Sequence, residues 1–120
     1  MTVYLRASHD FQKVYRNGNR YDGVLMTAFV LPNKLSHNRF GITASRKALG
    51  NAVQRNRAKR LLRETFRLKR SQLFALQEKY DWVVNAKRAL PSLKVTAAIE
   101  EFEKLVLRVA KEENKARKFG

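Results

Sequence analysis

Apolar positions along this chain change period several times, and each change marks an element. Phe11, Val14 and Tyr15 follow the i, i+3, i+4 spacing of one helix face, flanked by Lys13 and Arg16. Ser8 as cap, Asp10 in the first turn and a left-handed stop at Asn17-Gly18 bound a helix predicted over about residues 8–17. From Tyr21 to Leu31 β-formers dominate, and Pro32-Asn33 with Ser36, His37 and Asn38 reads as a loop back into Arg39 to Ser45. A hairpin of strands over 21–31 and 39–45 is expected. In its second strand Phe40, Ile42 and Ala44 alternate with Gly41, Thr43 and Ser45. One face is apolar, and the other is small and polar, a surface that a ligand chain can approach closely.

A helix of different character follows. Asn51 is placed as its N-cap with Gln54 able to reach back, and it is predicted over about residues 51–69. At 100° per residue, Val53, Ala58, Leu61, Leu62, Phe66 and Leu68 take one half of the wheel, and Arg55, Lys59, Arg60, Arg63, Arg67 and Arg70 the other. Only Arg57 falls among the apolar positions, where its stem can cover core and carry the charge to the edge. Tyr80 to Ala86 is a compact strand with Trp82, Val83 and Val84 assigned to the core. Strand, helix, strand is a crossover unit, so the strands over 39–45 and 80–86 are expected to be parallel. Pro91-Ser92 opens a last helix over about 92–112. Its core stripe is Val95, Ala98, Ile99, Phe102, Leu105, Val106 and Val109, and a charged tail is expected to fray from Lys111. The pattern is that of one α+β domain, residues 1–120, with three helices on a mixed sheet and no repeat or linker.

Charge turns this outline towards function. The chain carries 26 Lys and Arg against 10 Asp and Glu, a net +16, while 44% of it is hydrophobic. It folds, and its self-repulsion is relieved most simply by an anionic partner. Arg46 to Arg70 holds ten of the 26 cations, with Glu64 its only acid, so the anchored helix presents a rigid row of charge suited to a polyanion. Nucleic acid leads and an anionic membrane surface follows. The apolar half of the helix lacks the Trp and Phe bias of interfacial helices and has strands to cover. No apolar run reaches the ~18 residues of a membrane span, and no signal-like stretch follows Met1-Thr2-Val3, so a cytoplasmic protein is expected.

Candidate chemistry is sparse. With no cysteine, disulfides, zinc ribbons and thiol nucleophiles are excluded. His9 and His37 have no carboxylate cluster near them in sequence, and Asp22 and Asp81 form no recognisable metal pair. No catalytic residue and no metal ligand is assigned. Phe11 and Tyr15, one turn apart, fit either a core stripe or a stacking platform for single-stranded nucleic acid interleaved with Lys13 and Arg16.

The stretch Gly50-Asn51-Ala52-Val53-Gln54-Arg55-Asn56-Arg57-Ala58-Lys59-Arg60, continuing through Leu61, Leu62, Arg63 and Glu64, resembles the signature of the bacterial ribonuclease P protein subunit. Phe40 to Lys47 is similar to that family's strand leading to a basic pair, and Phe11 to Gly18 to its first helix; the likeness spans roughly residues 8–107. It implies an α/β sandwich whose crossover through the basic helix is left-handed, against the ~98% right-handed default. It also implies a partner, ribonuclease P RNA, that hydrolyses the bond with Mg²⁺ while the protein holds that RNA and the 5′ leader of precursor tRNA, with no DNA and no membrane involved. On this resemblance Arg46, Lys47, Asn51, Arg55, Asn56, Arg57, Lys59, Arg60, Arg63 and Arg67 face the catalytic RNA. Phe11, Lys13, Tyr15, Thr43 and Ser45 line the leader cleft, with Tyr21, Thr27 or Phe29 as its further aromatic-strand member. A basic structural RNA-binding protein, such as a ribosomal subunit protein, is the alternative and needs no leader cleft.

Overall fold

The most deeply buried strand takes an inner place in the sheet. In the computed structural model, which describes residues 2–119, β1 (Asn19–Asp22), β2 (Met26–Pro32), β3 (Arg39–Thr43) and β4 (Tyr80–Ala86) lie in the order β1-β2-β4-β3. Trp82, Val83 and Val84 of β4 are fully buried, so the strand is buried on both faces and belongs between neighbours with cover on either side. β4 pairs antiparallel with β2 and, as the crossover requires, parallel with β3. The expected hairpin of β2 and β3 does not form, because β4 inserts between them. The loop over 33–38 spans the gap, held where Asn38 Oδ1 accepts from Tyr80 N (2.8 Å) and Trp82 Nε1 (3.2 Å).

The stretch expected as a single strand over 21–31 is two strands. The carboxylate of Glu101 accepts hydrogen bonds from the backbone N–H groups of Val24 (2.7 Å), Leu25 (2.8 Å) and Met26 (2.8 Å), which turns the chain between β1 and β2. A Cβ on Gly23 would lie 2.6 Å from that carboxylate, so a side chain there would push Glu101 off the turn. β3 also ends at Thr43, two residues early. Ser45 Oγ accepts from Ala48 N (3.1 Å) and caps a short helix, α2 (Arg46–Leu49), and Gly50, at φ 84°, then swings the chain into the basic helix.

That helix, α3 (Ala52–Lys69), begins at its expected cap, with Asn51 Oδ1 accepting from Gln54 N at 2.9 Å. Its buried stripe is shorter than the wheel suggests: Ala58, Leu62, Thr65 and Phe66 are buried, whereas Val53 and Leu68 are 74% and 43% exposed. Eighteen helical residues span about 27 Å, more than the strands beneath them, so both ends overhang the sheet. The last helix, α4 (Val95–Phe119), starts after a 3₁₀ turn at Leu90–Ser92 and runs through the segment expected to fray. Buried Glu113 anchors that extension by accepting from Gln77 N (3.0 Å) and Tyr80 Oη (2.5 Å).

Under α3 and α4 the core is aromatic. Phe40 stacks on Phe66 (4.4 Å), which meets Phe102 (5.4 Å), which meets Trp82 (5.6 Å). Losing Phe66 to alanine would cost about 3–5 kcal/mol, the usual range for a buried aromatic. The opposite face carries α1 (Ser8–Asn17), whose Val14 packs with Leu5 and Val83. Its cap is Ala7, not Ser8, and no side chain bonds there. Gly18 is extended (φ −79°), not left-handed; a Cβ on it would lie 2.6 Å from the Val14 carbonyl oxygen. Residues 3–5 run along β3, with Leu5 N donating to Phe40 O (2.8 Å), and close that edge of the sheet.

Candidate nucleic-acid interface

Strand register sorts the α1 face of the sheet into rows. Gly41, Val83, Phe29 and Arg20 form one, and Thr43, Asn85, Thr27 and Asp22 the next. α1 lies on the first row. Phe11 packs so closely over Gly41 that a Cβ there would sit 2.6 Å from its ring, which explains why the small-residue face was needed: the chain's own aromatic ring occupies part of it. Tyr15, 38% exposed, marks where the helix gives way to open sheet. Its hydroxyl donates to Asn85 Oδ1 (2.7 Å), and its ring meets Phe29 edge to face at 4.8 Å. Thr43 Oγ1 donates to the same Asn85 oxygen (2.5 Å), and the Arg20 guanidinium lies 5.6 Å from the Phe29 ring.

Tyr15 and Thr43 are thus brought together, and the residue that joins them, Asn85, was absent from the sequence reading. An amide in the otherwise apolar Trp82-Val83-Val84 strand was the available signal. Lys13 is exposed on α1, and Phe11 is a half-buried wall. Ser45 lies apart from the group, its hydroxyl engaged in capping α2. Of the three candidates for a further strand residue, Phe29 is the one beside Tyr15. Tyr21 is buried on the opposite face under Arg108 (5.2 Å), and Thr27 donates to Asp22 Oδ1 (2.8 Å).

On α3 the motif residues divide by task. Arg55 Nε donates to the Ala44 carbonyl (2.8 Å) and Arg57 Nε to the Pro91 carbonyl, so each ties a chain connection to the helix. Asn56, Arg60 and Arg63 are exposed, Lys59 is half-buried, and Arg46 and Lys47 are exposed on α2. Asn51 is spent on its cap. Arg67 is exposed yet paired with Glu64 at 2.5 Å. Arg63 borders a cavity of about 320 Å³ with Tyr4, Phe11 and Ile42, so the basic helix and the aromatic helix share a wall. Burial pushes the Tyr4 phenol up from its usual range, against the pull of Arg63.

Comparison with known proteins meets this geometry directly. The family model described as Ribonuclease P matches residues 2–110. The chain belongs to the ribonuclease P protein family. The ribonuclease P protein component of Natranaerobius thermophilus is 36% identical over 103 residues, covering 86% of both chains. That of Caldanaerobacter subterraneus is 35% identical over 113 residues, covering 94% of both. Among solved structures, the RNase P protein of Staphylococcus aureus superposes with a TM-score of 0.74 at 30% identity, covering 92% of this chain and 97% of that one. The RNase P protein from Thermotoga maritima gives 0.74 at 26% identity, covering 88% and 96%. Membership makes the chain the protein component of a tRNA-processing endoribonuclease and the RNA of ribonuclease P its partner. The ribosomal alternative gives way to it.

Within a ribonuclease P protein the use of the acids is informative. Glu101 and Glu113 accept backbone N–H groups, and Asp81, 5% exposed, takes two bonds from Arg39 (2.8 and 2.7 Å) and one from Asn33 (2.9 Å). Arg20 holds the Asp22 carboxyl below the usual range, and Arg67 does the same for Glu64. Among the described residues no group of three or more Asp, Glu, His or Cys is arranged to hold a metal ion.

Proposed function

We propose that this chain holds two stretches of RNA by different physics while its RNA partner, with Mg²⁺, performs the hydrolysis. The exposed cations of α2 and α3 face the phosphates of the folded catalytic RNA, where each neutralised phosphate adds to a log–log salt slope by about 0.7–0.9. The open sheet beside Tyr15 takes the single-stranded 5′ leader of precursor tRNA by stacking and close backbone approach. The observation that carries this reading is the partly exposed Tyr15 ring, fixed by Phe29 and Asn85 at the edge of an uncovered sheet face. A base-stacking platform needs that rigidity. Holding the leader in register presents the scissile bond to the RNA's chemistry. Among the described residues no helix is long and apolar enough to cross a membrane, and a cytoplasmic ribonucleoprotein is the proposed setting.

Reconstitution tests the reading. Purified protein added to bacterial ribonuclease P RNA and precursor tRNA at low magnesium should stimulate 5′ leader removal. Tyr15→Ala should weaken the holoenzyme's hold on leader-bearing precursor about tenfold, within the range for one stacked base, and leave mature tRNA unaffected. Equal loss for both RNAs, or no stimulation at all, would sink the proposal.

A further inference from the structure

A second aromatic and basic site lies at the far end of the sheet, away from Tyr15. The 3₁₀ turn over Arg70–Ala75, the loop over 33–38 and residues 2–3 enclose a cavity of about 460 Å³. Phe40 and Leu73 close its apolar floor, and its polar lining comes from His37, Asn38, Arg70, Ser71 and Lys79, with no acid among the lining residues. Phe74 stands at this cavity 76% exposed, and the Lys79 ammonium lies 4.8 Å from its ring centroid. A solvent-exposed phenyl ring beside an ammonium, over a pocket of donors, suits a flat π-system carrying an anion.

Its position on the molecule selects which anion. At 100° per residue Arg60, Arg63, Arg67 and Arg70 fall within about 80° of one another, a stripe about 15 Å long that ends at this cavity. A phosphate backbone lying on the stripe reaches the pocket within two or three nucleotides. We infer that the Phe74 pocket receives one unstacked nucleotide of the ribonuclease P RNA, its base on the Phe74 ring and its phosphate between Lys79 and Arg70. The inference rests on the proposed contact of α3 with that RNA.

The test uses full-length protein and the ribonuclease P RNA transcript without precursor tRNA, so the leader surface takes no part. Phe74→Ala should weaken binding about tenfold without changing the salt slope, because no charge is lost, and Phe74→Trp should retain the affinity. Lys79→Ala should weaken binding and lower the slope by about one ion. Phe74 is exposed, so these variants should melt with the wild type. Unchanged RNA affinity in Phe74→Ala overturns the inference, as does equal weakening in Phe74→Trp. Arg60→Ala measured alongside separates the readings: an unchanged slope there removes the α3 contact itself, whereas failure at Phe74 alone removes only the pocket.

Discussion

Replacing Glu101 by glutamine should destabilise the fold far more than one lost charge suggests. Its two carboxylate oxygens take three backbone N–H groups at 2.7–2.8 Å, two of them on Leu25 and Met26, which are 7% and 0% exposed. Glutamine keeps the size but presents an NH₂ donor where one oxygen accepted. At least one inward N–H then loses its partner, and the others lose the ionic share of their bonds. A stranded buried donor costs about 1–3 kcal/mol and each charge-assisted bond contributes about 1.5–3. The expected loss is about 3 kcal/mol, a large part of the 5–15 available to an ordinary domain. Glu100→Gln is the control: it makes the same change in net charge one residue away, at an exposed position, and should stay within about 0.5 kcal/mol. Urea unfolding followed by Trp82, the only tryptophan and fully buried, reads both. Equal losses in the two variants would show that general electrostatics, not the Glu101 turn, sets the cost, and a Glu101→Gln loss below 0.5 kcal/mol would refute the argument outright.

Gly41→Ala should displace Phe11, whose ring would sit 2.6 Å from the new Cβ; a loss of about 1–3 kcal/mol in urea unfolding together with weaker leader binding is expected, and a wild-type curve would place the ring elsewhere. Tyr80 is pushed up from its usual 10.0 by burial and by the Glu113 carboxylate it donates to. Above pH 10 the unfolded chain therefore gives up this proton while the folded one keeps it, and stability should fall with rising pH by about 1.4 kcal/mol per unit for this group. Tyr80→Phe should remove that share of the alkaline slope, and an unchanged slope would contradict it. Arg60→Ala or Arg63→Ala should lower the salt slope of RNA binding by about 0.7–0.9, and no change would leave those side chains in solvent.

What the sequence disclosed follows the reach of each signal. α1, β4 and the start of α3 were legible because their evidence is local: an apolar period, a compact β-forming run around Trp82-Val83-Val84, a capping Asn51. The parallel partner β3 followed from the crossover, but the insertion of β4 beside β2 was not legible, since a loop over 33–38 reads as a hairpin whether or not another strand enters between its arms. The split of β1 from β2 depends on Glu101, more than seventy residues away in sequence, although Asp22-Gly23 carried the turn signal. The extension of α4 past Lys111 likewise depends on Glu113 meeting Tyr80 and Gln77. In the site, charge located α3 and aromatic spacing located α1, but Asn85 and Phe29 acquire meaning only through strand register. The wheel could not show how far α3 outruns the sheet, so it buried Val53 and Leu68 too readily.

The Arg55-Asn56-Arg57 motif shows why so much charge tolerates such a small domain. Two of its three side chains are partly committed to the fold: Arg55 ties the end of β3 to α3 through the Ala44 carbonyl, and Arg57 ties the turn before α4 through the Pro91 carbonyl. A guanidinium bonded through Nε keeps its terminal nitrogens for another acceptor, which a lysine at the same position cannot do with one point charge. The acids answer the same need from the other side, since Glu101, Glu113 and Asp81 are consumed by backbone N–H groups and by Arg39 rather than left near the basic face. Cations that remain unpaired along α3 are then free to meet phosphates, and those that are anchored fix the angle at which they do so. On the proposed function, a surface built this way positions and neutralises RNA through rigidly placed charge, and the Tyr15 ring adds selectivity for the leader strand.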